Sequence, residues 1–401
     1  LIDGDLTVAV EKACTEVVEG ALDEWFVVDI FQSGSGTSTN MNANEVIASR
    51  ANQHLGGRPG DRAPVHPNDH VNLGQSSNDV IPTALHLATG LAIHEQLLPA
   101  LTALEGSLRR RSQALWPVIK SGRTHLQDAT PIRLGQELLG HAGQMELAGR
   151  RCRQAATELQ ELALGGTAVG TGMATHPEFA ERVVGRLRAV TGIPLRETDN
   201  HFRAQSNLDI AVSASGALRA TALSLHKVAG DVRWLASGPR TGLAEISVPA
   251  VQPGSSIMPG KVNPVIAESA SMVAAQVVGN DASIAFAGAA GSRLQLNTMM
   301  PVIALNLLQS VELLATASVN LAERCIDGIE ATPRGPALLE RNLSLCTALM
   351  PRIGYDAAAA IADEAHRTGR TVREVAGGRL DLSDAELDVL LDPSGMVQPG
   401  R

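Results

Sequence analysis

The chain has 401 residues and a mass of 41.9 kDa, which is too long for one compact domain and is typical of roughly two or three. Its 33 Lys and Arg residues stand against 42 Asp and Glu residues, so the net charge is -9. This acidic balance, with no basic tract, argues against binding to nucleic acid, which requires that phosphates be neutralised. Aromatic residues make up only 2% and hydrophobic residues 44% of the chain, a composition that favours closely packed helices over a β sandwich or barrel.

The chain divides into three regions by pattern. Residues 1–74 are mixed and predict an N-terminal domain. Residues 75–330 predict a central bundle of long helices, because apolar residues recur at three and four spacing over segments near 79–112, 132–164, 203–236, 262–290 and 300–329. Each segment of roughly 30 residues would be about 45 Å long as a helix. Residues 331–401 have short helical patterns and predict a small C-terminal domain.

The cysteines and the apolar runs bear on where the protein works. Cys14, Cys152, Cys325 and Cys346 are scattered without a C-x-x-C pair, which predicts reduced thiols and argues against a Cys-ligated zinc or iron-sulfur cluster. The longest apolar runs, such as the one that ends at Val278, are shorter than the roughly 20 residues that cross a bilayer. We therefore expect a cytoplasmic protein with no membrane partner.

The loop from Gly254 to Asn263 combines two hydroxyls, a cation and an amide just before a predicted helix. It is not a phosphate-binding P-loop, since five residues separate Gly254 from Gly260 and Val262 stands where a Ser or Thr would bind magnesium. At a helix N-terminus, Lys261 and Asn263 are able to clamp a carboxylate. The alternative is a surface loop that ends in a helix cap.

A histidine and several hydroxyls add to the candidate site. His125 follows Thr124, and a histidine oriented by a carboxylate such as Glu268 accepts or relays a proton near neutral pH, although a lone histidine is more often structural. Short polar side chains that can donate to carboxylate oxygens, or cap a helix instead, are Ser35, Thr37, Ser76, Ser77 and Asn78.

The segment His66-Pro67-Asn68-Asp69-His70 has the spacing of a metal site. Pro67 interrupts a helix that would align both imidazoles, so we do not expect a metal there.

Six motifs, in the order in which they occur along the chain, resemble those of the fumarase/aspartase superfamily and, within it, those of class II fumarase. They are Gly34–Asn42, His66–Asn72, Gly74–Asp79, Gly122–Asp128, Gly165–Gly172 and Gly254–Pro264, the last being the signature of the superfamily. The resemblance extends over essentially the whole chain.

This resemblance implies a mainly α, fumarase/aspartase-like fold of three domains, whose central helices form a twenty-helix core in a homotetramer. Each active site would then be shared by three subunits. The implied reaction is the reversible hydration of fumarate to L-malate, with no metal or organic cofactor. Removal of the C3 proton of malate would give an aci-carboxylate, which fixed donors must stabilise.

The resemblance also implies roles for residues. Ser255 would be the base, Lys261 and Asn263 would bind the carboxylate that gains charge, and His125, paired with Glu268, would handle the water and the departing hydroxide. Further substrate contacts would come from Ser35, Thr37, Ser76, Ser77, Asn78 and Thr124. A secondary carboxylate site near the entrance would comprise His66, Asn68 and Asp69.

The sequence also departs from the family pattern and leaves other functions open. Met173-Ala174 replaces Leu-Asn, Gln295 replaces Glu, and relatives have a longer N-terminal segment, so we expect the first domain to be truncated at its start. The main alternative is aspartate ammonia-lyase, although Thr39, His66 and Ser77 favour fumarase. Lyases of larger substrates, for argininosuccinate or adenylosuccinate, and a helical assembly without catalytic activity are the others.

Overall fold

The computed structural model describes residues 2–399, which are mainly helical. Its α-helices are α1 (Gly4–Val18), α2 (Thr37–His54), α3 (Ser77–Ala92), α4 (Leu98–Ala114), α5 (Leu134–Glu158), α6 (Phe179–Thr191), α7 (His201–Ser206), α8 (Asp209–Leu235), α9 (Val265–Gly291), α10 (Met300–Arg324), α11 (Arg334–Leu339), α12 (Met350–Ile353), α13 (Tyr355–Thr368), α14 (Val372–Arg379) and α15 (Asp384–Leu390). The five predicted long segments are thus mainly helical, although 132–164 ends in a short strand and 203–236 is divided between α7 and α8.

Within residues 2–399, the strands form four two-stranded ribbons rather than one sheet. They are β1 (Ile119–Thr124), β2 (Gln127–Arg133), β3 (Glu161–Leu162), β4 (Arg196–Glu197), β5 (Ile246–Ser247), β6 (Ser292–Arg293), β7 (Leu296–Asn297) and β8 (Glu330–Ala331). The pairs β1–β2, β5–β8 and β6–β7 are antiparallel, and β3–β4 is parallel. Only β1–β2 is long enough to form a hairpin of several residue pairs, with a register shift between Ser121 and Gly122.

The helical segment predicted over 79–112 is interrupted by a short π-helix, Ile93–Leu97, between α3 and α4. Pro99 explains the interruption, because proline lacks the N–H that would bond to the carbonyl of Glu95, four residues before, and its ring crowds that carbonyl. A widened turn relieves the crowding without ending the helix.

The chain folds as two compact units. The first unit comprises residues up to Pro99, Gly149–Ala222 and Ala274–Ala315, and the second comprises Ala100–Ala148, Leu223–Val273 and the residues from Thr316 onward. The predicted division at residues 74 and 330 stays a prediction.

In the first unit, small residues let α8 and α9 approach closely. A Cβ atom on Gly288 would lie 2.5 Å from Cγ2 of Val212, so no larger residue fits there without a shift. Beside this contact, the buried carboxylate of Asp281 accepts hydrogen bonds from Ser215 at 2.7 Å and from Arg219 at 2.7 Å. A separate small core packs α1 against α2 through Ala9, Ala13, Ala48, Ala51 and Val65.

In the second unit, the C-terminal helices have a core of their own, centred on Leu349, Ile361, Val372 and Ala376, all at most 1% exposed. Thr371 and Ser383 begin α14 and α15 with capping boxes, in which a glutamate three residues later bonds back to the capping residue. The tail after residue 331 is therefore made of short helices, as its pattern predicts.

Among the described residues, one helical stretch, Met300–Gly328, has the length and hydropathy of a membrane span. Its most apolar window has a mean hydropathy of 1.6 and is 44% buried within the chain. Core helices of water-soluble proteins have the same properties, so this stretch is weak support for a membrane location.

Candidate active site

A series of hydrogen-bonded hydroxyl groups lies at the start of α2 in the first unit. Oγ of Ser35 is 2.7 Å from Oγ1 of Thr37, and Oγ1 of Thr37 is 2.8 Å from Oγ of Ser77 at the start of α3. Ser33 extends this series of hydroxyl groups, with its Oγ 3.3 Å from that of Ser35. The structure thus brings three predicted substrate contacts into one uncharged, hydrogen-bonding cluster that can donate to carboxylate oxygens.

Two glycines make this cluster possible. Gly36, which precedes α2, has a φ of +73°, a left-handed conformation that favours glycine. A Cβ atom on Gly34 would lie 1.6 Å from the carbonyl oxygen of Thr298, and the backbone N–H of Met300 donates to the oxygen of Gly34 at 2.9 Å. The Ser33–Thr37 turn is therefore fixed against the segment that leads into α10.

The predicted contacts Ser76, Ser77 and Asn78 form the first turn of α3. Ser76 is the N-cap, and its Oγ accepts from the backbone N–H of Asn78 at 3.2 Å. The side chain of Asn78 donates to the carbonyl of Ala168 at 2.8 Å. Both the capping function and a contact with Thr37 are therefore present, and of these three residues Ser77 is the one that joins the hydroxyl cluster.

Asp79 ties this helix start to the Gly165–Gly172 motif. Its Oδ1 accepts from the N–H of Ser76 at 3.0 Å, and its Oδ2 accepts from the N–H groups of Gly165 at 2.9 Å and Thr167 at 3.0 Å. The residue has 0% exposure. Burial raises the pKa of the Asp79 carboxyl above its ordinary value, although these three N–H donors oppose that shift.

The predicted secondary carboxylate site lies in a short π-helix, Pro67–Val71. Nδ1 of His66 accepts from the N–H groups of Asn68 at 3.3 Å and Asp69 at 3.2 Å, so this imidazole caps the helix. Asp69 is exposed. The backbone N–H of His66 donates to Nδ1 of His70 at 2.8 Å. His66, Asn68 and Asp69 are therefore close together, and a helix-capping role accounts for the His66 ring.

In the second unit, Thr124 and His125 lie at the tip of the β1–β2 hairpin and are exposed. His125 has a φ of 55° and Leu126 a φ of 59°. Two successive left-handed residues define the tightest hairpin turn, which normally takes Asn-Gly, so His and Leu here are strained. Such strain at exposed residues is characteristic of functional sites.

His125 faces a cavity of about 580 Å³ in the second unit. Its charged and polar lining includes Arg123, Glu137, His141, Lys227 and Asp231. Burial lowers the pKa of His141, whose Nε2 is 3.4 Å from Oδ2 of Asp231. The cavity is therefore lined by groups of both signs.

The Gly254–Asn263 loop folds back on itself. The N–H of Gly254 donates to the carbonyl of Lys261 at 2.8 Å, and the side chain of Asn263 donates to the carbonyl of Gly254 at 2.8 Å. A Cβ atom on Gly254 would lie 2.6 Å from that Lys261 oxygen, so glycine is required at the closure. Asn263 thus serves the shape of the loop.

Within this loop, Ser255 has a special environment. Its Oγ accepts from the backbone N–H groups of Ile257 at 3.2 Å and of Met258 at 2.9 Å. Two N–H donors aimed at one hydroxyl oxygen stabilise negative charge on it. Lys261 is exposed and has no ion pair within residues 2–399. The loop therefore presents a hydroxyl whose oxygen accepts two backbone N–H bonds, and an exposed cation.

Glu268 lies in the first turn of α9, where its nearest cation is Arg233, at 4.0 Å. No hydrogen bond or ion pair joins Glu268 to His125 in the described part of the chain. The predicted pairing of these two residues thus stays a prediction for this chain.

Sequence reasoning missed two sets of buried charges. Asp79 carried a signal, because Ser76 followed three residues later by an acid is a capping-box pattern. Lys120, which is 1% exposed, pairs with Glu245, also 1% exposed, and no local pattern indicates a contact between residues so far apart.

The cysteines and the other potential metal ligands bear on two further kinds of chemistry. Within residues 2–399, no group of three or more His, Cys, Asp or Glu side chains is arranged to hold a metal ion. All four cysteines are free, and burial raises the pKa of each thiol, that of Cys325 to about 12. These thiols are therefore poor nucleophiles.

Two protein families match the chain. The family described as Lyase matches residues 5–279, and the family described as Fumarase C C-terminus matches residues 345–398. The first match alone covers more than half of the chain.

Individual proteins are similar over almost the full length. A fumarate hydratase class II of Methylorubrum extorquens is 49% identical over 399 residues, which are 99% of this chain and 84% of that protein. One of Neisseria meningitidis is 49% identical over 391 residues, 97% of this chain and 84% of the relative.

Solved structures agree in fold. A class II fumarase of Schistosoma mansoni has a TM-score of 0.94 and 38% identity, covering 100% of this chain and 87% of that one. A fumarate lyase:delta crystallin of Brucella melitensis, bound to cobalt, has a TM-score of 0.95 and 47% identity, covering 99% of this chain and 86% of that one. These similarities confirm the predicted mainly α, fumarase/aspartase-like fold, and the chain belongs to the lyase family and, within it, to the class II fumarate hydratases.

Proposed function

We propose that this protein catalyses the reversible hydration of fumarate to L-malate. The observation that carries the proposal is the environment of Ser255, whose hydroxyl oxygen accepts two backbone N–H bonds in the loop that bears Lys261. An anionic oxygen beside a cation is suited to removing a proton from the carbon next to a carboxylate. The names of the relatives, fumarate hydratase class II, support this reaction.

In the proposed mechanism, deprotonated Ser255 removes the C3 proton of malate. The electron pair passes onto the adjacent carboxylate, which becomes an aci-carboxylate bound by Lys261 and Asn263. His125, oriented by Glu268, protonates the departing hydroxide in one direction and activates water in the other. No metal or organic cofactor enters the scheme.

The second carboxylate of the substrate is assigned to polar groups at the starts of α2 and α3 and to Thr124. Ser35, Thr37, Ser77 and Asn78 supply hydroxyl and amide donors without adding charge. Ser76 supports these donors as the cap of α3. The secondary carboxylate site of His66, Asn68 and Asp69 is proposed to receive substrate near the entrance.

The active unit is proposed to be a homotetramer of three-domain chains, in which three subunits share each site and long helices form a twenty-helix core. α9 supports this assembly, because its only charged residues are Glu268 and Asp281 and most of the others are apolar. Met272 and Phe286 on α9 are each 67% exposed in the single chain, and apolar surface of this kind is characteristic of an interface. A cytoplasmic location is proposed as well.

The reaction is tested by following the absorbance of fumarate that the purified protein forms from L-malate and, separately, from L-aspartate. We expect fumarate from malate only. Fumarate from aspartate alone would instead establish the ammonia-lyase alternative, and absence of both products would refute the proposal.

The role of Ser255 is tested by Ser255→Ala, with Ser256→Ala as the matched control in the same loop. Loss of a base should lower kcat on the order of 10²- to 10⁴-fold while malate binding is largely kept. Ser256 has no hydrogen bond within the described residues, and its variant should keep the activity of the parent. Native mass measurement should give four times the chain mass of 41.9 kDa.

A further inference from the structure

Four charged side chains form a cluster at the β1–β2 hairpin, with Lys120 and Glu245 buried and Arg123 and Glu137 partly exposed. Nζ of Lys120 is 3.1 Å from Oε2 of Glu137 and 3.1 Å from Oε2 of Glu245. Arg123 binds Glu245 with both ends of its guanidinium, at 3.0 Å to Oε2 and 2.8 Å to Oε1. With two cations and two carboxylates, the cluster is formally neutral.

Glu245 is the centre of this cluster, and its side chain is 0% exposed. Its backbone is fixed as well, because its N–H donates to the carbonyl of Leu235 at 2.8 Å and its carbonyl accepts from Thr332 at 3.0 Å. Ala244, just before it, has a left-handed φ of 48°. The carboxylate of Glu245 is thus fixed in place, and it pairs with Lys120 and Arg123, which both lie on β1.

Stability alone is a poor explanation for such a cluster. Taking charges out of water costs energy that their mutual attraction often fails to recover, and well-packed apolar residues of similar volume are commonly as stable or more stable. A bidentate pair of an arginine and a carboxylate instead fixes the orientation of both side chains, because the two N–H donors of the planar guanidinium fit the carboxylate in one geometry.

The cluster lies next to the strained turn. Arg123 immediately precedes Thr124 and His125, and Arg123, His125 and Glu137 line the same cavity. The left-handed conformations of His125 and Leu126 persist only where the surrounding structure determines them. The Arg123–Glu245 contact fixes the residue from which that turn starts.

The opposite side of the hairpin is fixed separately. The side chain of Asn342 donates to Oγ of Ser121 at 2.8 Å and to the carbonyl of Ala129 at 2.8 Å, and Ser344 donates to the same carbonyl at 2.7 Å. These bonds hold the strands but make no contact with Thr124 or His125. The charged cluster reaches closer to the tip, because it holds the side chain of Arg123, the neighbour of Thr124.

We propose that Glu245, held between Lys120 and Arg123, is a positioning residue that orients the Thr124–His125 turn for catalysis. This inference rests on the proposed function, because its effect is exerted through His125. Glu245 touches no substrate in this scheme. Its loss should therefore affect turnover more than substrate binding.

The first test is Glu245→Gln, which keeps the size of the side chain. The glutamine has one acceptor oxygen, so its amide N–H₂ faces either the guanidinium of Arg123 or the ammonium of Lys120, and the fork contact is lost. We expect kcat for malate dehydration to fall about 10- to 100-fold, since misplacement by an ångström costs on this order. KM should change by less than about threefold.

The matched control is Arg110→Ala, which breaks an exposed ion pair with Asp327 in the same unit. It should keep the kcat of the parent. Wild-type kcat in folded Glu245→Gln would overturn the inference, whatever the change in its melting temperature. If the parent protein itself formed no fumarate from malate, the proposed function would fail instead, and the two failures are thus distinguishable.

A second test does not depend on the folding of the Glu245 variant. Arg123→Lys keeps a cation next to Glu245 but loses the two-ended guanidinium contact with its carboxylate. We expect kcat to fall about 10-fold while KM changes by less than about threefold, as for Glu245→Gln. Wild-type kcat in folded Arg123→Lys would contradict the positioning role.

Discussion

Asp79 offers the sharpest test of how the start of α3 is held. Its carboxylate is fully buried and accepts three backbone N–H bonds, from Ser76, Gly165 and Thr167. In Asp79→Ala all three donors lose their partner. An unsatisfied buried donor costs about 1–3 kcal/mol, so the loss of three partners should lower the free energy of unfolding by roughly 3–9 kcal/mol, the lower part of the range applying if water enters.

Asp79→Asn separates the hydrogen bonds from the charge. The amide has a single acceptor oxygen, so at least one of the three N–H groups is left unsatisfied, at a cost of about 1–3 kcal/mol. Burial raises the pKa of Asp79, which means that burying its charge is unfavourable, and the neutral amide removes this penalty. The net loss should therefore be about 1–2 kcal/mol, smaller than for alanine.

Both variants are measured by urea unfolding at one fixed protein concentration, followed by circular dichroism. Glu386→Gln is the matched control, because Glu386 occupies the same third position of a capping box but is exposed, and glutamine keeps that bond. Glu386 also lies 3.6 Å from Arg352 at the surface, so this variant should lose a little stability, and less than either Asp79 variant. If Asp79→Ala lost less than about 1 kcal/mol, the three N–H bonds would not hold the helix start as argued.

Two further predictions concern Gly34 and His86. Gly34→Ala should destabilise the protein and raise KM, because the new Cβ would lie 1.6 Å from the oxygen of Thr298, beside the hydroxyl cluster. Gly185→Ala, with open space around the new Cβ, should instead stabilise α6 by about 0.5–1 kcal/mol. Equal melting temperatures for the two variants would contradict this prediction. Burial lowers the pKa of His86 below its ordinary value of 6.5, so between these two pKa values the imidazole is protonated in the unfolded chain and neutral in the folded chain. The stability due to neutral His86 is therefore fully present above pH 6.5 and is lost as the pH falls toward the folded pKa. His86→Gln should therefore lose less stability than the parent on acidification through this window, by up to about 1.4 kcal/mol per pH unit, and identical losses in thermal melts would count against the assignment.

The helices and the polar loops were predictable from sequence because their causes are local. Apolar periodicity set the long helices, and serine followed by an acid at the third position set the start of α3. The hydroxyls of Ser35 and Thr37 were singled out for their chemistry, and the structure brings them to Ser77.

The contacts that hold these elements in place were not predictable, since each joins residues far apart in the chain. Asp79 bonds to Gly165 and Thr167, and Glu245 pairs with Arg123, yet no spacing or pattern indicates which carboxylate meets which donor. The left-handed turn at His125 was missed for a related reason. Nothing in the residue types His-Leu favours a conformation that only the surrounding structure enforces.

That turn has a consequence for engineering. The left-handed conformation costs on the order of 1–3 kcal/mol per residue. Replacement by glycine or asparagine, which adopt it more readily, should therefore raise the thermal stability of the protein. Selection for thermal tolerance alone should accordingly enrich substitutions at His125 and Leu126, and the survivors altered at His125 would be robust proteins without turnover. A selection scheme for this protein needs growth on its product as a second filter.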